Sequence, residues 1–286
     1  MCIRDRTNVA PDFAVLSGGP DDGPQRIDFI HRRTDDAEVY FVCNSAEESR
    51  SVRCRFRDAP GRAELWHPVT GDIAPARVIS RNEDGSCDIA MQLPAFGSTF
   101  VVFRRSGRAP ETGSEGLSDP PMDKIPVEGP WTVKFQPGRL APESVEWDEL
   151  IDWTTSPLPG VRYFSGTATY STRIEIRSDA AGDCWLDLGK VAVVATVRID
   201  GRDLGTAWTS PFRVRVPAET LGKGVHELEI AVTNVWNNRL VGDQFLDESK
   251  RVTRTNMHGK HTRDTPLVAS GLLGPVVLKR PDPGAD

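Results

Sequence analysis

The sequence contains no apolar run approaching the ~20 residues that a membrane-spanning helix requires, and its first residues show no apolar leader core. No membrane partner is therefore expected, and localisation is left open at this point. A clustered basic face is also missing. Lys and Arg total 35 against 41 for Asp and Glu, a net charge of −6, which argues against nucleic acid or anionic lipid as a partner. Five cysteines (Cys2, Cys43, Cys54, Cys87 and Cys184) are widely spaced, with no Cys-x-x-Cys pair, so neither a zinc knuckle nor a redox motif is indicated. They read as free thiols packed as small hydrophobes, and a Cys43–Cys54 bridge has no support.

What remains is a chain of 286 residues, enough for about two domains of ordinary size. Hydrophobic residues make up 38%, and the 25 glycines counted with them approach the ~45–50% of globular chains, so the chain should fold. Met1–Arg6 joins no periodic element, and residues 1–24, with SGGPDDGP inside them, read as a loop-like leader. The expectation is a chain that begins inside a longer protein, at a non-native start. From residue 25 to 105, seven short strands follow at regular spacing: Ile27–Arg33, Glu38–Asn44, Val52–Arg57, Ala63–Trp66, Arg77–Ser80, Cys87–Leu93 and Ser98–Phe103. Within the third, Val52, Cys54 and Phe56 alternate with Arg53, Arg55 and Arg57, and no 3.6-residue apolar stripe of helical length occurs in this region. A β-sandwich is predicted.

Residues 106–121 (SGRAPETGSEGLSDPP) combine Gly, Pro, Ser and Glu without periodic apolar positions, which is linker chemistry. A second domain should occupy 122–286. Trp131, Val133 and Phe135 open it with a period of two. The segment SVEWDELIDW is irregular enough to fit either a short helical turn or a loop. Gly166–Ile176, Cys184–Leu188, Val191–Ile199, Phe212–Val216 and His226–Thr233 then supply strands, and Pro275–Lys279 is expected to close the sheet beside the first. Val193, Ala195, Val197 and Ile199 alternate with Val194, Thr196 and Arg198 up to Asp200-Gly201, a pair suited to a two-residue hairpin turn with both φ angles positive. That count suits a jelly roll.

The words IDGRDLGTAW, SPFRV, AVTNVWNNRLVGD and SGLLGPV, with YFSGTATY upstream, resemble the galactose-binding-like jelly roll of large glycoside hydrolases, most closely family 106, the α-L-rhamnosidases. HRRTDDAEVYFVCN, ELWHPVTGD and LPAFGSTFVVF resemble the accessory sandwich that follows the catalytic barrel in such enzymes. The resemblance implies an all-β fold of two β-sandwich domains, the second a galactose-binding-like jelly roll. It also implies a periplasmic or extracellular location.

A sugar site needs flat apolar faces and planar amides or Arg forks for vicinal hydroxyls. Trp208, Trp236, Asn237, Asn238 and Arg239 are of the right types and lie where strands end, and they form the candidate carbohydrate site. The competing reading makes Trp236 a core cap and the two asparagines loop-backbone partners. Trp153, Arg162 and Tyr163 form a second group for which core packing is the better reading. His258-Gly259-Lys260-His261 has no evident third ligand, so no metal and no cofactor is expected. Glu143, Glu146, Asp148, Glu149, Asp243, Asp247 and Glu248 could in principle include a glycosidase pair. The family's catalytic carboxylates, however, lie on a barrel that two sandwiches leave no room for, since a (β/α)₈ barrel takes ~250 residues. The expectation is a non-catalytic C-terminal piece of an α-L-rhamnosidase-like glycoside hydrolase. Its partners would be the catalytic barrel of the same parent chain and an oligo- or polysaccharide. The alternative is a stand-alone carbohydrate-binding or adhesion module.

Overall fold

The computed structural model describes residues 10–17, 26–106, 122–179, 182–256 and 259–281. The chain divides into two compact units, Met1–Asp119 and Pro120–Asp286. Most of the expected linker, 107–121, lies outside the described residues, as do Cys2 and His258. The chain is all-β in both units.

The strands of the first unit are β1 (Phe13–Ser17), β2 (Ile27–Arg33), β3 (Ala37–Asn44), β4 (Arg50–Phe56), β5 (Arg62–Trp66), β6 (Ile73–Pro75), β7 (Arg77–Arg81), β8 (Cys87–Leu93) and β9 (Ser98–Arg104). They form two antiparallel sheets, ordered β1-β4-β8-β7 and β2-β3-β9-β5-β6. Alternation buries Val52, Cys54 and Phe56 from one sheet against Tyr40, Val101 and Phe103 from the other, which makes the unit a sandwich. Residues 1–24 are not wholly a leader. Phe13–Ser17 pairs with β4 in the register Phe13↔Phe56, and the Phe13 ring meets Phe29 at 4.8 Å and Phe56 at 5.3 Å. A short strand without polar alternation, set among Gly and Pro, gives no period-two signal, yet its first ring completes the core.

The second unit has β10 (Met122–Pro126), β11 (Trp131–Phe135), β12 (Ser144–Trp147), β13 (Thr167–Ile176), β14 (Cys184–Asp187), β15 (Lys190–Ala192), β16 (Val194–Ile199), β17 (Arg202–Ala207), β18 (Arg213–Val216), β19 (Gly224–Thr233), β20 (Gly271–Gly274) and β21 (Val277–Pro281). A four-stranded sheet, β10-β21-β14-β18, faces a six-stranded one, β12-β11-β13-β19-β16-β17, and β15 pairs with β20. Leu186, Val216 and Leu278 from the smaller sheet share one core with Trp131, Tyr170, Val197 and Ile230 from the larger. This is the galactose-binding-like jelly roll.

The Asp200-Gly201 turn forms as its residues dictate, with φ of 49° and 77° and Ile199 opposite Arg202. Two expectations change. The closing strand lies not beside Trp131–Phe135 but between β10 and β14. SVEWDELIDW is neither a simple loop nor one helical turn: it starts as β12 and ends at a 3₁₀ turn, Trp153–Thr155, capped by the Asp152 side chain on the Thr154 amide. Trp153 is fully buried, its Nε1 donating to Tyr170 Oη at 2.6 Å, and Gly271 lies so close to that indole that a Cβ there would stand 2.6 Å from it. Cys43, Cys54, Cys87 and Cys184 are free, and burial pushes the Cys54 thiol up to about 12, an inert packing group.

Candidate functional site

The register of the six-stranded sheet gathers the expected site residues at one end of it. Ala207, the last residue of β17, pairs with Ala195 on β16, which pairs with Val232 on β19. Trp208 therefore leaves the sheet one residue beyond the level of Val232, while β19 ends at Thr233, three residues before Trp236. β16 separates the two strands, so their backbones lie about 10 Å apart at ~4.8 Å per strand. Both indoles are open to solvent, 58% for Trp208 and 53% for Trp236, which is unusual for the largest apolar side chain. The reading of Trp236 as a core cap does not hold.

The polar members of the group behave differently. Asn237–Gly242 forms a short helix, α1 here, that turns Asn238 and Arg239 inward to 1% and 3% exposure. Asn238 Nδ2 donates to the Val268 carbonyl at 2.6 Å and to Ser270 Oγ at 3.1 Å, and its Oδ1 accepts from the Val268 amide at 2.8 Å. Arg239 Nε lies 2.9 Å from Asp243 Oδ1, four residues on, and its guanidinium sits 6.0 Å from the Tyr163 ring centroid. Asp243 in turn accepts from the Thr253 amide and hydroxyl. The expectation that Asn238 and Arg239 meet a sugar is therefore corrected. A buried polar group is held by partners inside the fold, Asn238 here by hydrogen bonds and Arg239 by its ion pair with Asp243.

Ser270 ties the knot. Its Oγ also accepts from Asn234 Nδ2 at 3.2 Å, its amide donates to Asp152 Oδ1 at 3.1 Å, and its carbonyl accepts from the Trp153 amide at 2.9 Å. The words NVWNNRL and SGLLGPV thus meet in space, and what joins them is loop architecture. Of the second group, Trp153 is core, Arg162 Nε donates to the Thr154 carbonyl at 3.0 Å, and Tyr163 packs on Phe245 at 5.6 Å. Among the acidic residues, Glu143, Glu146, Asp148, Glu149, Asp247 and Glu248 are exposed and Asp243 is buried in its ion pair.

The first unit holds charge clusters that composition alone did not disclose. Glu38 is buried against His31, Arg33 and Arg105; Glu64 against Arg62, Arg104 and Trp66 Nε1; Asp88 against Arg53 and Arg55. Hydrogen bonding from Arg55, with Arg53 beside it, holds the Asp88 carboxyl well below the usual carboxylate range despite its burial. The alternating arginines were the available signal: Arg53 and Arg55 of β4 converge on Asp88 of the neighbouring strand β8. Asp12, His31 and Asp58 bring their ligand atoms within 4.8 Å of one another, as a metal site would. Arg57 pairs with both carboxylates, however, and Arg33 with Asp58 at 3.2 Å, so the charge that would hold an ion is already neutralised. The same arginines line a cleft of about 540 Å³ with Glu38, Asp58 and Arg81, and its charges are likewise paired with one another or with backbone carbonyls.

The alpha-L-rhamnosidase family profile, glycoside hydrolase 106, matches residues 3–79. The structure of a rhamnosidase from Novosphingobium sp. PP1Y superposes on 96% of this chain with a TM-score of 0.76 and 37% sequence identity, and the chain covers 25% of it. A protein of Formosa agariphila, provisionally named a beta-glucuronidase, is 34% identical over 211 residues, 65% of this chain and 18% of the relative. The chain thus spans a quarter or less of the length of these relatives. The family profile lies in the first unit, whereas the motifs for the jelly roll lie in the second.

Proposed function

We propose that this glycoside hydrolase family 106-like chain is the non-catalytic, C-terminal portion of an α-L-rhamnosidase-like enzyme, which braces the catalytic domain and meets saccharide through its jelly roll. The observation that carries this reading is one of proportion. Nearly the whole chain superposes on a quarter of a rhamnosidase, and what superposes is two sandwiches. Glycoside hydrolysis needs two carboxylates poised across a bond. The acidic residues of the second unit are either solvated or, like Asp243, bound into the fold. The reaction belongs, in this reading, to a separate barrel of the parent protein. The test is the reading frame upstream of this sequence in its source DNA. A continuous frame of barrel length is expected, and a stop codon directly upstream with no barrel-length frame behind it would overturn the proposal.

The exposed indoles of Trp208 and Trp236 favour a second reading, a stand-alone carbohydrate-binding module. Calorimetric titration of the chain with rhamnose, galactose and pectic oligosaccharides separates the two. Dissociation constants of micromolar order or tighter, without any catalytic partner, support the module; weak contact, in the millimolar range, suits an accessory domain.

A further inference from the structure

Beside the exposed end of the jelly roll lies a surface to which no function is assigned, the outer face of its six-stranded sheet. The register sets its side chains in rows. Thr167, Thr233 and Val194 form one row across β13, β19 and β16; Thr169, Ala231, Thr196 and Thr206 form the next, extending to β17; Ser171, Glu229 and Arg198 form the third. Over the middle of these rows is a depression of about 220 Å³, with Thr167, Thr169, Thr196, Ala231 and Thr233 as its floor and Arg198 and Glu229 at its side.

The chemistry of this floor is specific. Thr167 and Thr233 hydroxyls lie 2.8 Å apart and those of Thr196 and Thr206 3.0 Å apart. A hydroxyl offers one proton and two lone pairs, so each such pair keeps a proton and lone pairs for a ligand. Ala231, between Thr169 and Thr196, carries only a methyl and leaves the low point of the surface. Arg198 stands opposite Glu229 in the register and pairs with Asp203 Oδ2 at 3.8 Å on its other side, so the lining of the depression carries one charge of each sign, the cation already partnered. Strand alternation continues past Thr206, with Ala207 buried, and sets exposed Trp208 on the same side as Thr206. Trp208 thus follows directly on the end of β17, the strand next to β16, two residues past Thr206. Hydroxyl donors and acceptors below, an aromatic face at the edge and no net charge match the two sides of a sugar ring, its hydroxyl rim and its C–H face. The depression is smaller than the ~300–1,000 Å³ of pockets for drug-sized ligands.

We propose that this face, over Thr169, Thr196 and Ala231 with Trp208 at its margin, binds one or two rings of a neutral saccharide. The proposal rests on the reading that the jelly roll meets carbohydrate, and it moves the contact from the loop end to the sheet. A protein partner is disfavoured because the floor offers hydroxyls where a stable interface core would be apolar.

The experiment is calorimetric titration of the full chain with rhamnose and pectic oligosaccharides, comparing the natural sequence with Ala231→Trp, which fills the low point, and with the isosteric pair Thr169→Val/Thr196→Val, which removes hydroxyls and keeps the β-branched shape. Each is expected to weaken binding at least tenfold while the melting temperature holds; should Ala231→Trp fail to fold, the isosteric pair decides. Binding retained in the valine pair, or lost in Trp236→Ala with Ala231→Trp unaffected, would return the site to the loop end and overturn this proposal alone. If the natural sequence binds none of the sugars, the face proposal and the carbohydrate reading beneath it both fall.

Discussion

The two units bury different things. The first sinks three carboxylates, Glu38, Glu64 and Asp88, into its sheets and surrounds each with arginines or a histidine from adjacent strands. The second buries Trp131, Trp153, Phe164 and Tyr170 in one aromatic cluster, with Trp153 stacked against Tyr170 at 6.5 Å and Phe135 edge-on to Phe164 at 4.8 Å. Burial of apolar area does not titrate, whereas paired charges depend on pH and are screened by salt. The comparison teaches where to look for function. In a unit that hides its aromatic rings this thoroughly, the two indoles left in solvent, Trp208 and Trp236, stand out, while in the first unit the conspicuous charges are already spent on one another.

The sharpest break of that contrast is Trp153→Ala. It removes the centre of the aromatic cluster and the donor to Tyr170, and it should cost about 3–5 kcal/mol. Scanning calorimetry should show the second unit's transition fall while the first unit's stays in place. An equal fall in both would mean that the two cores do not melt independently.

Asp88→Ala probes the other side of the contrast. It leaves Arg53 and Arg55 without their carboxylate, but both guanidinium groups can turn to water, so a loss of about 2 kcal/mol is expected. The pH dependence gives a separate check. Because the folded-state carboxyl titrates below its unfolded value of ~3.9, its stabilisation is complete above that value and is lost as pH falls through the folded one. Urea midpoints should therefore converge for the natural sequence and the variant below about pH 4; a constant gap would show that Asp88 acts by shape alone.

The smallest effect belongs to an ion pair at the turn of the second unit's hairpin. His226 Nδ1 lies 2.7 Å from Asp200 Oδ2 and its Nε2 2.7 Å from the Gly222 carbonyl, so both ring nitrogens face acceptors and only the protonated ring can donate to both. The hydrogen bond to Asp200, then that to Gly222, raises the His226 pKa, and His226 lowers that of Asp200. For the raised histidine, stability is complete below ~6.5 and lost as pH rises through the folded value; for the lowered aspartate it is present above ~3.9 and lost on acidification. The pair is strongest between those limits. With Asp200 half exposed, it should contribute less than about 1 kcal/mol. Asp200→Asn, which tolerates the positive φ, should flatten the stability profile between pH 6 and 8, and an unchanged profile would remove the pair from the account.

Much of this fold was legible because strands with one wet face announce themselves. The alternation of Val52, Cys54 and Phe56 with three arginines, and the turn at Asp200-Gly201, each have a local cause that survives folding. β1 and β10 were not legible: FAVLS has no polar alternation, and MDKIP is short and ends in proline. At the candidate site the residue types were visible and their directions were not. Asn and Arg serve a ligand or a loop equally well, and only the turn of α1 decides which way they face. The i,i+4 spacing of Arg239 and Asp243 was a usable hint, since opposite charges at that spacing meet on a helix.

One arrangement has a bearing on how the second unit comes into being. β21 lies between β10 and β14, with Met122 opposite Pro281 and Leu186 opposite Leu278, so among the described residues the first strand of the unit pairs only with the last. A ribosome delivers β10 first and must then make the rest of the unit before its partner emerges. Until residue 281 has left the exit tunnel, β10 and β14 present bare edges and the smaller sheet cannot assemble. The smaller sheet of the jelly roll thus closes only once its last strand is available, while the strands of the six-stranded sheet, all before residue 234, and those of the first unit, all before residue 105, can pair earlier.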